Sequence, residues 1–305
     1  VSVLIALILG VIQGLTEFVP VSSTAHLYLA QALFGIRNDQ FALSFDIALH
    51  LGTALALVVA TRRELLAVLT EAARWSRGQP ARDRAGRAVI MPLLIGTLPG
   101  VFAGLFLLRK FEEMRSVGVI GVSMLIACGY FFLAENFAER RRGSERTLDD
   151  LDVRDGFWIG LAQAAAGLMA GFSRSGFTIA TGRLRRLDRQ DAARFSFLLA
   201  LPIILGAGVK ALLDLRKSGA PKESAGLVGI GFVASALVGY FAIRAMLRFV
   251  KAHSLRPFGI YLGVLGSLLV LSVVFPGLLP FSGPQGGAPH PDAPRPSVSA
   301  GPARR

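Results

Sequence analysis

Six apolar stretches, at residues 43–61, 88–108, 116–134, 195–215, 225–243 and 257–275, lie between charged residues, and each approaches the length of a bilayer-crossing helix. A water-soluble core cannot bury six such segments in one chain of 305 residues. Composition agrees: 53% of residues are hydrophobic, 17% are charged, and the mean hydropathy is +0.56. These values exclude disordered, collagenous and disulfide-rich classes. The expected fold class is therefore an all-α polytopic membrane protein with six transmembrane helices.

Two further apolar regions are interrupted. Residues 1–36 are broken by QGLTEFVPVSST and residues 156–182 by AGFSRSG. Irregular backbone at membrane depth is tolerated only where protein buries it or a wet cavity meets it. Both regions are read as re-entrant helical hairpins. No basic leader or small-residue cleavage site precedes the first, so no cleaved signal peptide is expected.

The net charge of +13 comes from 33 Lys and Arg against 20 Asp and Glu. The basic residues are dispersed over short loops, which fits membrane topology and excludes a nucleic-acid face. If each hairpin returns to the side it entered, segments 62–87, 135–155, 183–194 and 244–256 share one side and carry 21 of the 33. That side is expected to be cytoplasmic. The hairpins then approach from opposite faces, the geometry of an inverted-topology repeat. Short matches support it: Ser22-Ser23-Thr24 with Ser173-Arg174-Ser175 at an offset of 151, Ser44-Phe45 with Ser196-Phe197 at 152, and Leu51-Gly52 with Leu205-Gly206 at 154. The expected organisation is one membrane domain, 1–280, with halves of about 1–134 and 156–275. A disordered Pro/Gly-rich tail, 281–305, follows.

Ionisable groups inside membrane segments are costly and so become functional candidates. Gln13 and Glu17 are four apart on one helix face, and Pro20 ends that helix. Ser22, Ser23 and Thr24 are placed to cap the next helix, with His26 on its first turn. A helix N-terminus there attracts anions. The plainer alternative makes Ser22 a simple cap, His26 an interfacial histidine and Glu17 a snorkelling carboxylate. In the second hairpin, Gly171, Ser173, Arg174, Ser175 and Gly176 combine small residues, hydroxyls and a fixed guanidinium fork, a set suited to phosphate. Its plainer alternative is a turn whose arginine pairs with Glu17. Asp46 and His50, four apart on the first full span, are accessory candidates. Neither zinc-ligand spacing nor a P-loop is present.

The segments QGLTEFVPVSSTAHL, AGFSRSG, FSFLLALPIILGAG and RPFGIYLGVLG closely resemble the undecaprenyl-diphosphate phosphatase family, also called the bacitracin resistance protein family. The resemblance covers about residues 5–275. It implies a multi-pass enzyme of the bacterial plasma membrane, with its cleft facing outward. Such an enzyme releases the terminal phosphate of undecaprenyl diphosphate, recycling the lipid carrier for peptidoglycan synthesis and conferring bacitracin resistance. It also implies a divalent cation, Mg2+ or Ca2+, on Gln13 and Glu17. Catalytic roles fall on Glu17, Ser23, His26 and Arg174, and phosphate binding on Ser22, Thr24, Gly171, Ser173, Ser175 and Gly176. Two positions depart from the usual pattern: Gln13 stands at the first acidic position, leaving one carboxylate, and Ala170 replaces a proline.

On this basis Ser23 is the candidate nucleophile and His26 its general base or acid, with attack by a His26-activated water as the alternative. Expected partners are the polyprenyl diphosphate and the bilayer, with no nucleic acid; a homodimer is a candidate assembly. A second functional class is a carrier that moves the lipid monophosphate across the membrane, with or without hydrolysis.

Overall fold

A computed structural model describes residues 2–36, 40–107, 116–141, 143–218 and 225–275. Arg37, the whole of 109–115, most of 216–224, and the tail at 281–305 lie outside these residues. Among the described residues the chain forms eleven α-helices and one 3-10 turn, Leu148–Asp150. The first hairpin is α1 (Val3–Thr16) and α2 (Ser23–Leu33). It is followed by α3 (Gln40–Ala60), α4 (Arg62–Ser76), α5 (Arg84–Phe106) and α6 (Val117–Glu139). The second hairpin is α7 (Val153–Leu168) and α8 (Arg174–Leu184). Three long helices complete the chain: α9 (Arg189–Ser218), α10 (Ala225–Ala252) and α11 (Arg256–Val274).

Five of these helices, α5, α6, α9, α10 and α11, are long and apolar enough to span a bilayer, and α3 with α4, bent by 75°, is long and apolar enough when the two are taken as one segment. Polarity is arranged as lipid requires. Leu94, Leu98 and Phe102 on α5 and Ile260 and Val264 on α11 are exposed, while Gln13, Glu17, Thr53, Gln163 and Ser235 are buried. The protein is thus an all-helical, multi-pass membrane protein.

Helix ends differ from the apolar windows. Residues 62–76, read from sequence as loop, form α4, whose Val68 and Glu71 are buried while Leu66, Leu69 and Trp75 are exposed. It turns sharply off α3 as an amphipathic helix. Elsewhere α6, α9 and α10 overrun their apolar segments into charged sequence, and for α6 and α9 the reason is that opposite charges meet there. Arg189 donates to the buried Glu135 at 2.9 Å, and Arg256 pairs with Glu139 at 2.7 Å.

Small residues set how deeply each hairpin penetrates. Gly10 and Gly14 on α1 press against α10 at Gly231, Ala234, Ser235 and Val238, leaving no room for a Cβ. On α7, Gly156 and Gly160 meet the backbone of α5 at Pro92 and Gly96 in the same way. Positions advance together in both pairs, so α1 runs parallel to α10 and α7 parallel to α5. Since α5 starts and α10 ends at the same end of the molecule, the hairpins enter from opposite ends and their tips meet in the interior.

The four basic segments occupy that shared end. Arg189 reaches Glu135, Arg185 reaches the buried Asp155 at 2.7 Å, and the Leu255 amide donates to Glu135 at 2.9 Å. Arg146 forms an isolated bridge to Leu187, and the 3-10 turn packs on α5. Segments 62–87, 135–155, 183–194 and 244–256 are therefore one surface.

Candidate active site

The first hairpin turns at Glu17–Ser22. Helix α1 stops because Pro20 has no amide to donate and disfavours helical geometry at Val19. Ser22 then adopts a left-handed conformation, φ +70°, uncommon for a residue with a Cβ. It stands at the N-cap of α2 but makes no side-chain cap, which leaves its buried hydroxyl without a partner. The first amides of α2 thus remain open at a helix N-terminus, next to a cleft lined by Ser22, Ser23 and Thr24.

The second tip is closed more conventionally. Ser173 caps α8 by accepting from the Gly176 amide at 3.2 Å, placing Arg174 as the first helical residue. Gly171 has φ +105° and lies so close to the Ile120 carbonyl of α6 that a Cβ would sit 2.5 Å from it. Gly176 packs on the ring of Phe131. Both glycines face α6, so the room they provide serves packing. Ser175 donates to the Val19 carbonyl at 3.3 Å and ties the two tips together.

At the junction, Arg174 Nη2 pairs with Glu17 Oε1. The other oxygen, Glu17 Oε2, accepts from Gln13 Nε2 at 3.0 Å and from Ser23 Oγ at 2.6 Å. Gln13 is fully buried and Glu17 is 6% exposed. This network leaves buried polar atoms unused: Gln13 Oε1, Ser22 Oγ and Arg174 Nη1. Unpaired polar atoms in a buried site mark places where a ligand completes the hydrogen bonding. His50 Nε2 lies 3.9 Å from Glu17 Oε2, and Asp46, which accepts from Gln31 at 2.7 Å, lines the same space.

His26 is placed otherwise than its spacing from Ser23 suggests. Its Nδ1 lies 2.8 Å from the Ser22 carbonyl and its Nε2 2.6 Å from the Tyr261 hydroxyl of α11, so it makes no hydrogen bond to Ser23. The proton acceptor beside Ser23 is Glu17. Tyr261 and Gln31 are not singled out by sequence: only folding brings Tyr261 to the hairpin, and only folding brings Gln31 of α2 to Asp46 of α3. A tyrosine inside the RPFGIYLGVLG segment was the one available signal.

The cleft has a volume of about 340 Å3 and two chemical ends. Glu17, Ser22, Ser23, Ser173, Arg174 and His50 form a polar end, whereas Ile47, Met169, Phe172, Ile203 and Ile204 form an apolar wall. It lies in the first half of α3 and the second half of α9, away from the basic surface. A charged head on a hydrocarbon tail matches this division.

Hard oxygen donors of the kind a divalent cation takes are present: the Glu17 carboxylate and the partnerless carbonyl oxygen of Gln13, whose amide nitrogen faces Glu17. No cluster of three His, Cys, Asp or Glu that could hold a metal occurs among the described residues. Two protein oxygens are too few for Mg2+ or Ca2+, so the coordination would be completed by oxygens of a bound phosphate.

A sequence profile of the bacitracin resistance protein BacA family matches residues 6–268. Among curated proteins, an undecaprenyl-diphosphatase of Rubrobacter xylanophilus is 42% identical over 87% of this chain and 96% of its own length. An undecaprenyl-diphosphatase of Desulforudis audaxviator is 40% identical over 89% and 98%, respectively. Undecaprenyl-diphosphatase 4 of Bacillus cereus is 37% identical over 88% and 96%. With the profile spanning nearly all the described residues and both hairpin tips inside the match, the chain belongs to the bacitracin resistance protein BacA family.

Proposed function

We propose that the protein is an undecaprenyl-diphosphate phosphatase. It hydrolyses the lipid diphosphate to undecaprenyl phosphate and inorganic phosphate, and so returns the carrier to peptidoglycan synthesis and supports bacitracin resistance. The observation that carries this reading is the Glu17–Arg174 pair at the meeting of the two hairpin tips, with a hydroxyl bonded to the same carboxylate and an apolar wall beside it. The names of the relatives support it. Nothing comparable supports a carrier without hydrolysis, and a carrier has no use for a serine held on a carboxylate.

In this reading the diphosphate enters the polar end and its first prenyl units follow the apolar wall. Arg174 offers its unpaired Nη1, and Ser22 its unpaired hydroxyl, to the terminal phosphoryl oxygens. Open amides of α2 add positive potential. Ser23 Oγ attacks the terminal phosphorus while its proton passes to Glu17, already 2.6 Å away, and the bridging P–O bond breaks to release undecaprenyl phosphate. Water then cleaves the phosphoserine. Gln13 and Glu17 would hold the divalent ion, which supplies charge neutralisation on the diphosphate. The active cleft is built from one chain, sits in the bacterial plasma membrane and opens outward, on the side opposite the basic surface.

The test is phosphate release from undecaprenyl diphosphate by purified protein in detergent, with and without EDTA. Release that EDTA stops, and that Glu17→Ala and Arg174→Ala abolish, is the expected result. Absence of release from folded, metal-supplied protein overturns the proposal.

A further inference from the structure

Helix α2 carries Ser23 at its first position, and Ala25 and Leu29 bury one of its faces in the main core. Leu27 and Ala30 pack with Phe45 and Leu49 of α3 and with α1, whereas α11 is met through the His26–Tyr261 pair. The second hairpin is different: Gly171 and Gly176 seat it on α6, and Tyr130 of α6 bonds Thr181 at 2.7 Å in addition. The first hairpin has its glycine seat on α1, where Gly10 and Gly14 meet α10, and on the side of α11 a tyrosine hydroxyl tethers α2.

The bonding of His26 has one consistent assignment for a neutral ring. A carbonyl can only accept, so the 2.8 Å contact to Ser22 requires the proton on Nδ1. Nε2 is then the acceptor and the Tyr261 hydroxyl the donor, at 2.6 Å. The rings are nearly parallel, 14° apart with centroids at 5.7 Å, so the tyrosine also fixes the plane of the imidazole. The Ser22 carbonyl receives a second hydrogen bond, from the His26 backbone amide at 3.2 Å. Ring and backbone of one residue thus grip the carbonyl of the residue whose left-handed conformation presents one hydroxyl, and the next residue's hydroxyl, to the cleft.

We propose that Tyr261 is a positioning residue of the active site: by donating to His26 Nε2 it fixes the plane of the imidazole, whose Nδ1–H is bonded to the Ser22 carbonyl, and so holds the Ser22–Ser23 turn in register. Tyr261 touches none of the reacting groups and acts through His26 alone. This rests on the reading of the cleft as the site of diphosphate hydrolysis.

Tyr261→Phe keeps the ring and removes the donor. The expected result is a fall in kcat of about ten-fold, as for a small misplacement of a reacting group, with KM changed less than about two-fold. In His26→Ala protein the same substitution is expected to add nothing, because the route of action is already cut. Additive losses in Tyr261→Phe/His26→Ala, or wild-type kcat in Tyr261→Phe alone, overturn the proposal. A readout independent of turnover is 15N NMR of histidine-labelled protein in detergent. His26 is expected to show the Nδ1–H pattern in both proteins, with the Nε2 resonance shifted in Tyr261→Phe because that nitrogen has lost its hydrogen bond; an unchanged spectrum also overturns the proposal. Should the wild type release no phosphate, the functional reading fails, while the spectra still decide whether Tyr261 holds the His26 ring.

Discussion

Single residues divide the site into groups already bonded and groups left open. Ser23 is bonded to Glu17 and Ser22 is not, which assigns them different work. Ser23→Ala is expected to lower kcat by roughly 10³-fold or more, since it removes the atom that attacks. Ser22→Ala removes one hydrogen bond to a charged oxygen and is expected to cost on the order of ten-fold. Mass spectrometry of protein quenched during turnover should find phosphate on Ser23; full turnover by Ser23→Ala would exclude the covalent route. Glu17 and Arg174 were legible as partners from sequence because a membrane interior leaves such charges few alternatives. The direction of the His26 ring was not, because three-residue spacing places it near Ser23 and only Tyr261, distant in sequence, decides where it points.

At the scale of elements, the helices were legible where hydropathy changes abruptly and misjudged where it does not. Glu135 and Arg189 end two apolar windows, yet each continues a helix because the other neutralises it. Close approach is the stronger constraint on the hairpins. Gly160→Ala would drive a Cβ into the Gly96 carbonyl region of α5, whereas Gly129 on α6 has open space around it. The first substitution is expected to destabilise by about 1–3 kcal/mol, and Gly129→Ala to leave stability unchanged or slightly raised, in thermal unfolding of detergent-solubilised protein. The segment joining the repeats has its own pH dependence. The Thr147 amide donates to Asp150 at 3.1 Å and holds that exposed carboxyl below its ordinary value of 3.8, with Arg146 and Arg84 adding to the effect. A lowered folded value contributes stability above the ordinary one and loses it as pH falls through the folded one. Protection of the amides at 147–151, taken against their intrinsic exchange rates, is therefore expected to fall below about pH 4, and Asp150→Asn to show the low protection at neutral pH.

For the whole molecule, which way the cleft opens decides which pool of lipid diphosphate it can use. The sequence supplied a charge count but could not show that four separated segments form one surface; ion pairs among three of them, and the packing of the 3-10 turn on α5, do. Many of those arginines are neutralised by Glu or Asp, which leaves the argument intact because orientation follows Lys and Arg near the helix ends and is not a net-charge rule. The cleft lies in the opposite half, between the start of α3 and the end of α9. Putting the basic surface in the cytoplasm therefore opens the cleft outward, and the hairpin whose tip carries Arg174 enters from the cytoplasmic side. Single cysteines in a Cys128→Ala background test this with a membrane-impermeant maleimide. Arg77→Cys, in the exposed turn after α4, should be labelled in inverted vesicles and protected in intact cells; Arg37→Cys should show the reverse. The opposite pattern would place the cleft towards the cytoplasm and overturn its proposed access to diphosphate on the outer face. Labelling of both positions from one side would break the alternation of the spans, and with it the opposed entry of the hairpins on which the Glu17–Arg174 pairing depends.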